Sequence, residues 1–181
     1  KINNIDEADF QIRDAYPKLK IEYLIEKPTL IANNNSFESV IFKGVSSGYD
    51  LKKLNKFIVN SKISDKLFNN EIIISRLIAD KLDIEEGDDV TLYFQTSNNQ
   101  RIPNVRSYSV KHIFESDFPD FDNNYLIGNA QSLQNIFKWG SNDYSMIEIS
   151  LNNKTKIFDI ESSIRELKSL EKNNLSVKSI S

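Results

Sequence analysis

Apolar positions recur along the chain in two rhythms, one helical and one alternating. Ile5, Ala8, Ile12 and Ala15 repeat at helical spacing, and Pro17 ends that pattern because a residue before proline avoids the α region. "KIEYLIEKPTLIANNNSFESVIFKGV" then gives two β-rich runs around the turn cluster 33–36, which predicts a long hairpin. Pro28 cannot donate to a ladder, so it marks a bulge, a break or an edge position in the first run. Asp50 is placed to cap "LKKLNKFI", in which Leu51, Leu54 and Ile58 share a helical face.

The stretch "EIIISRLIADKLDIEEGDDVTLYF" predicts a strand at 71–74 and a helix carrying Leu77, Ile78 and Leu82, with Ser75 as its cap. Gly87 supplies a turn with positive φ, after which Val90, Leu92 and Phe94 point to one face of a strand. "QTSNNQRIPN" links that strand to "VRSYSVKHIFES" as a second hairpin. "NNYLIGNAQSLQNIF" reads as a short strand and a helix bearing Leu133, Ile136 and Phe137. The ending is strand–helix–strand: "SMIEISL", then Ile157, Ile160, Ile164 and Leu167 on one helical face, then "LSVKSI".

These elements predict an α+β fold in two lobes. One is a discontinuous α/β lobe from 1–62 plus 143–181; the other is an inserted β-rich lobe with short helices, 63–142.

Composition narrows the function. At 181 residues, with 39% hydrophobic and 27% charged positions, the chain can bury a sizeable core. A net charge of -3, with Lys and Arg scattered, argues against a nucleic-acid partner. There is no cysteine and one histidine, which rules out thiolate sites and the familiar zinc sets. No apolar run reaches the ~20 residues of a membrane span. A chain opening at Lys1 without an initiator Met reads as an excised fragment, with membrane segments expected in its flanks.

Candidate chemistry is sparse. His112 lies on a strand whose alternation puts Tyr108, Val110 and Phe114 on its face, so it reads as a partly buried structural histidine. Asp117, Asp120 and Asp122 could offer oxygen ligands but lack the glycine-bearing spacing of a calcium loop. They read as a solvated turn, as do Glu85, Glu86, Asp88 and Asp89. No phosphate loop, dinucleotide fingerprint or nucleophile elbow occurs, and the Ser169–Lys172 spacing sits on a polar helix end. No catalytic, cofactor-binding or metal residue is nominated. Two features point to contact instead: the loop Asn98, Asn99, Gln100, Arg101, Ile102, Pro103 and Asn104, and the loop aromatics Phe118 and Phe121, which as a rule tuck onto the core.

Taken in order, the 71–94 stretch, a polar hairpin, "YSVKHIFES" and "FDNNYLIGNAQSLQNIF" resemble the extracytoplasmic domain of ABC-transporter permeases of the MacB/FtsX/LolC–LolE superfamily. The resemblance is best over 71–151 and weak before residue 44. It implies a non-catalytic domain on the periplasmic side of a bacterial inner membrane, with a porter-like lobe from both chain ends and an inserted sabre-like lobe. Its implied partners are an ATP-binding subunit or domain, where ATP hydrolysis occurs, and a second permease subunit. The domain carries their motion to cargo or to a soluble partner. "NNQRIPN" resembles the Arg-Ile-Pro segment of the lipoprotein-releasing LolC type, placing Arg101, Ile102 and Pro103 toward a soluble lipoprotein carrier, although the loop is shorter than a full hook.

Two alternatives share these features. One is the same domain in a MacB-like exporter or an FtsX-like regulator of cell-wall hydrolases. The other, of a different class, is a cytosolic double-psi-type β-barrel regulator built on "IEEGDDV".

Overall fold

The computed structural model describes residues 19–63, 66–96 and 102–151. The expected N-terminal helix, the last helix and the final strand lie outside them. Contacts divide the chain into two compact units: one includes Glu22–Glu148, the other Asp6–Ile21 with Ile149–Ser181. Apart from 19–21 and 149–151, the described residues belong to the first unit.

Strands β1 (Leu19–Asn33) and β2 (Ser36–Val45) form the predicted hairpin. Asn34 begins its two-residue turn at φ 51, the left-handed conformation that favours Asn in such turns. Pro28 sits in unbroken register opposite Ile41, two residues before β1 begins its short ladder to β4 at Leu30. Pro28 therefore marks neither a bulge nor a break.

The segment Leu51–Lys56 is a 3-10 helix rather than an α-helix, and Asp50 makes no side-chain capping bond to it. Its residues still pack as expected: Leu51 is buried, and Leu54 and Ile58 lie against the same cluster.

Strand β3 (Glu71–Ser75) runs into α1 (Arg76–Leu82), where Ser75 Oγ accepts from the Ile78 amide at 3.1 Å as the predicted cap. Helix α1 stops at Asp83, which is left-handed at φ 54, and Gly87 turns the chain at φ 98. Strands β4 (Asp89–Phe94) and β5 (Asn104–Phe114) form the second predicted hairpin. A short α2 (Pro119–Asn124), strand β6 (Tyr125–Asn129), α3 (Ala130–Phe137) and β7 (Met146–Leu151) complete the described elements.

The strand order is β2-β6-β3-β5-β4-β1-β7, and β1 also pairs with β2. Six strands therefore close on themselves as a barrel, with β2–β6 and β3–β5 parallel and the other ladders antiparallel. Inside lie Ile31, Phe42, Ile72, Ile74, Leu92 and Phe94 among others, capped by Ile78 and Leu82 of α1 and Leu133 and Ile136 of α3. Phe42, Phe94 and Tyr108 meet ring to ring at 5.6–6.4 Å between centroids.

A second cluster covers part of the barrel's outer wall, where Leu24, Val45, Ile73, Phe114 and Ile127 pack against Leu51, Ile63 and Leu67. Double coverage explains why "III" shows no alternation in the sequence: Ile72 and Ile74 face inward, and Ile73 faces this outer layer.

The line drawn from sequence at 62/63 would part β1 and β2 from strands whose ladders they share. β2 pairs with β6 over Ile41–Val45, and β1 pairs with β4 over Leu30–Ala32.

Candidate functional site

The β4–β5 hairpin positions the candidate contact loop. Phe94 and Asn104 form its last described pair, and Phe94 is fully buried, so the loop springs from a fixed base. Ile102 stands 80% exposed, whereas Pro103 and Asn104 are half-buried. The side-chain oxygen of Asn104 is buried without a hydrogen-bond partner. Asn98, Asn99, Gln100 and Arg101 lie outside the described residues.

The two loop aromatics separate. Phe121 stacks on Tyr125 with centroids 4.9 Å apart and packs against Phe114, as expected of a core aromatic. Phe118 remains 66% exposed just ahead of α2, and its backbone amide donates to Ser116 Oγ at 3.2 Å. Asp122 departs from the expected solvated turn. It is buried, and its carboxylate accepts from the backbone amide and the hydroxyl of Ser116, closing the loop on itself.

His112 is buried, but not on the face that simple alternation predicts. The β3–β5 register shifts between Ile72 and Ile73, which oppose Val110 and His112, leaving Lys111 as an extra residue. Tyr108, Val110 and Ile113 consequently face the barrel interior, and Phe114 joins the outer cluster.

His112 Nδ1 lies 2.6 Å from Ser61 Oγ, and Ser61 Oγ is 3.5 Å from Glu86 Oε1. The same Glu86 oxygen accepts from the Ile113 amide at 2.9 Å, so Glu86 is a structural acceptor rather than a freely solvated acid. Burial lowers the His112 pKa from its usual 6.5, against the opposing pull of Glu86 and Glu71. The arrangement fastens the 57–61 segment to β5, together with the Ile58–Phe114 bridge.

Sequence reasoning overlooked Lys27. Its ammonium sits 4.6 Å from the Phe137 ring centre and 4.5 Å from that of Trp139, a two-ring cation–π contact across distant elements. No local spacing reveals it.

A cavity of ≈ 50 Å³ lined by Tyr49, Leu51, Leu67 and Asn129, with neighbours from 45–47 and Lys66, has room for a few waters. Organic substrates occupy sites of about 300 Å³ or more. No group of three or more His, Asp or Glu is placed to hold a metal among the described residues. No described helix is long and apolar enough to cross a membrane.

No family model matches the chain, and no curated protein matches it. Solved structures do. The extracellular domain of the noncanonic ABC-type transporter YknZ from Gram-positive bacteria aligns over 93% of this chain and 83% of its own, with 17% identity and a TM-score of 0.58. The periplasmic region of MacB from Actinobacillus actinomycetemcomitans aligns over 95% of this chain and 76% of its own, with 14% identity and a TM-score of 0.58. The chain shares the α+β fold of these domains.

Proposed function

We propose that this chain is the non-catalytic extracytoplasmic domain of an ABC-transporter permease. It passes ATP-driven motion, generated in partner subunits or domains, to cargo or to a soluble partner. The observation that carries the reading is the fold-level likeness to the YknZ and MacB domains over more than nine-tenths of the chain. The barrel fits such a part physically. Its six strands close through ladders at both the β1–β2 and β1–β4 seams, giving a stiff body that needs no active site.

The test is the coding sequence on either side of this segment, followed by expression of the whole protein. Apolar spans of about 20 residues in the flanks, and co-purification with an ATP-binding subunit or domain, are expected. Polar flanks on both sides would sink the reading.

Within it, the finer proposal is a lipoprotein-releasing permease of an inner membrane, with the 98–104 loop touching a soluble lipoprotein carrier. The exposure of Ile102 at the loop's end supports contact. Binding to the purified carrier, lost on Arg101→Ala with Pro103→Ala, is the expected result. A carrier that binds the double variant equally well removes this finer reading and leaves the exporter or hydrolase-regulator alternatives.

A further inference from the structure

Strand β5 runs further than one of its neighbours. Its ladder to β4 extends from Asn104 to Ser109, but its ladder to β3 starts only at Ser109, opposite Glu71. Ahead of Glu71 the chain turns away: the Glu71 amide bonds the Phe68 carbonyl at 3.1 Å, and Leu67 is buried in the outer cluster. Residues 104–108 of β5 therefore have β4 on one edge and no described strand on the other.

Two bonds fix which groups face that open edge. The Ser109 amide donates to the Asn70 carbonyl on the β3 side at 2.8 Å, and the Val110 amide donates to the Asp88 carbonyl on the β4 side at 2.8 Å. Backbone groups alternate along an antiparallel ladder, so Tyr108 and Arg106 bond β4, while Ser107 and Val105 turn their N–H and C=O groups to the open edge. The Arg106 guanidinium donates to the Val105 carbonyl at 2.8 Å. The Ser107 amide, the Ser107 carbonyl and the Val105 amide bond no described residue. Val105, Arg106 and Ser107 are all exposed.

Sheets guard such an edge with proline, a bulge or a covering element. Here Pro103 comes before β5, and the extra residue Lys111 comes after the open stretch. The one charged side chain on the stretch, Arg106, forms no ion pair with a described residue.

We infer that this edge of β5 is a docking site for an extended segment of a partner protein, which adds antiparallel to β5 and sets an acidic side chain beside Arg106. The backbone groups select the shape of the occupant. Spaced two residues apart, about 7 Å, they match the repeat of another extended chain. A helix has its own N–H and C=O groups paired internally and offers none to such a row. Arg106 selects the sequence, because side chains directly opposite in a ladder are near neighbours and an acid there is attracted. β-Branched residues suit the positions opposite Val105 and Ser107. Docking of this kind goes beyond the proposed function, since it needs no transporter around the barrel.

Amide-resolved NMR of the 181-residue chain, titrated with the pentapeptide acetyl-Thr-Val-Glu-Val-Thr-amide, tests the site. In the free chain the Ser107 amide should exchange with solvent faster than that of Tyr108, which β4 protects. Binding with a Kd of about 1 mM is expected, with the amides of 105–107 shifting most and Ser107 gaining protection. The same peptide N-methylated at both valines keeps its side chains, loses its ladder donors and should bind at least about tenfold more weakly. Arg106→Glu should weaken the parent peptide about fivefold and favour its counterpart with Lys in place of Glu, a reversal that misfolding does not produce. Ser107→Pro spares the β4 ladder, since the lost N–H points away from it, and should remove binding. No shift at 105–107 up to about 10 mM peptide overturns the docking site, as does equal binding of the N-methylated peptide. An unchanged preference in Arg106→Glu overturns the acidic occupant.

Discussion

The ring of Phe42 occupies the space a side chain at residue 128 would need. A Cβ placed on Gly128 would come 2.2 Å from Phe42 Cζ and 2.6 Å from Cε1. Phe42 cannot retreat, since it is fully buried between Phe94 and Tyr108. Gly128→Ala is therefore expected to destabilise the fold by about 3 kcal/mol, read from a urea or thermal unfolding curve. Asp88→Ala in the exposed turn removes an acceptor of the Glu85 amide and should cost much less, about 1 kcal/mol.

Ser75 serves two elements at once. Its hydroxyl caps α1 through the Ile78 amide and donates to the carbonyl of Asp122 in α2. Ser75→Ala leaves both partners buried and unmatched, with an expected cost of about 2 kcal/mol. Ser75→Thr keeps the hydroxyl and should recover part of that loss. Equal instability of the two variants would point to packing rather than the cap.

Acid should weaken the fold through His112. Burial holds its folded pKa below the unfolded 6.5, with Lys111 pulling the same way and Glu86 and Glu71 opposing. Between those two values the unfolded chain binds the proton and the folded chain does not. Stability is thus undiminished by this group above about pH 6.5 and falls as pH drops toward the folded pKa. In unfolding curves collected from pH 8 to pH 5, His112→Gln should flatten that part of the profile; an unchanged slope would assign it elsewhere.

Lys27 and Trp139 offer an optical test. The chain has one tryptophan, so its fluorescence reports directly on the ammonium 4.5 Å from the ring. Desolvation lowers the Lys27 pKa from 10.5, so emission should carry a titration step below that value. Lys27→Met should abolish the step and cost at most about 1 kcal/mol in lost cation–π attraction. A step that survives the substitution belongs to another group.

Local rules made much of the fold legible. The β1–β2 hairpin announced itself by two β-rich runs around an Asn cluster, and Ser75 and Gly87 by the conformations their neighbours require. Closure of the barrel was not legible, because β2 reaches β6 and β1 reaches β4 through pairings remote in sequence. Asp122 looked solvated for a different reason, since its partner Ser116, only six residues earlier, meets it only when the loop folds back on itself. One extra residue at Lys111 was enough to misplace the neighbours of His112, since alternation counts positions and a bulge adds one. Of the contact loop, Ile102, Pro103 and Asn104 are described, and of these Ile102 is exposed. Phe118 and Phe121 were indistinguishable by type, and the packing of Phe121 on Tyr125 and Phe114 separates them.

The seam between β2 and β6 has a consequence for biosynthesis. Ile41 must wait for Tyr125, and Val45 for Asn129, before the ring can shut. The hairpin synthesised ahead of the barrel's other strands is thus among the last to find its outer neighbours. Until the β6 segment emerges, one side of β2 is an open template for any passing strand. Productive folding of this chain is a race between synthesis of those few residues and misplaced pairing.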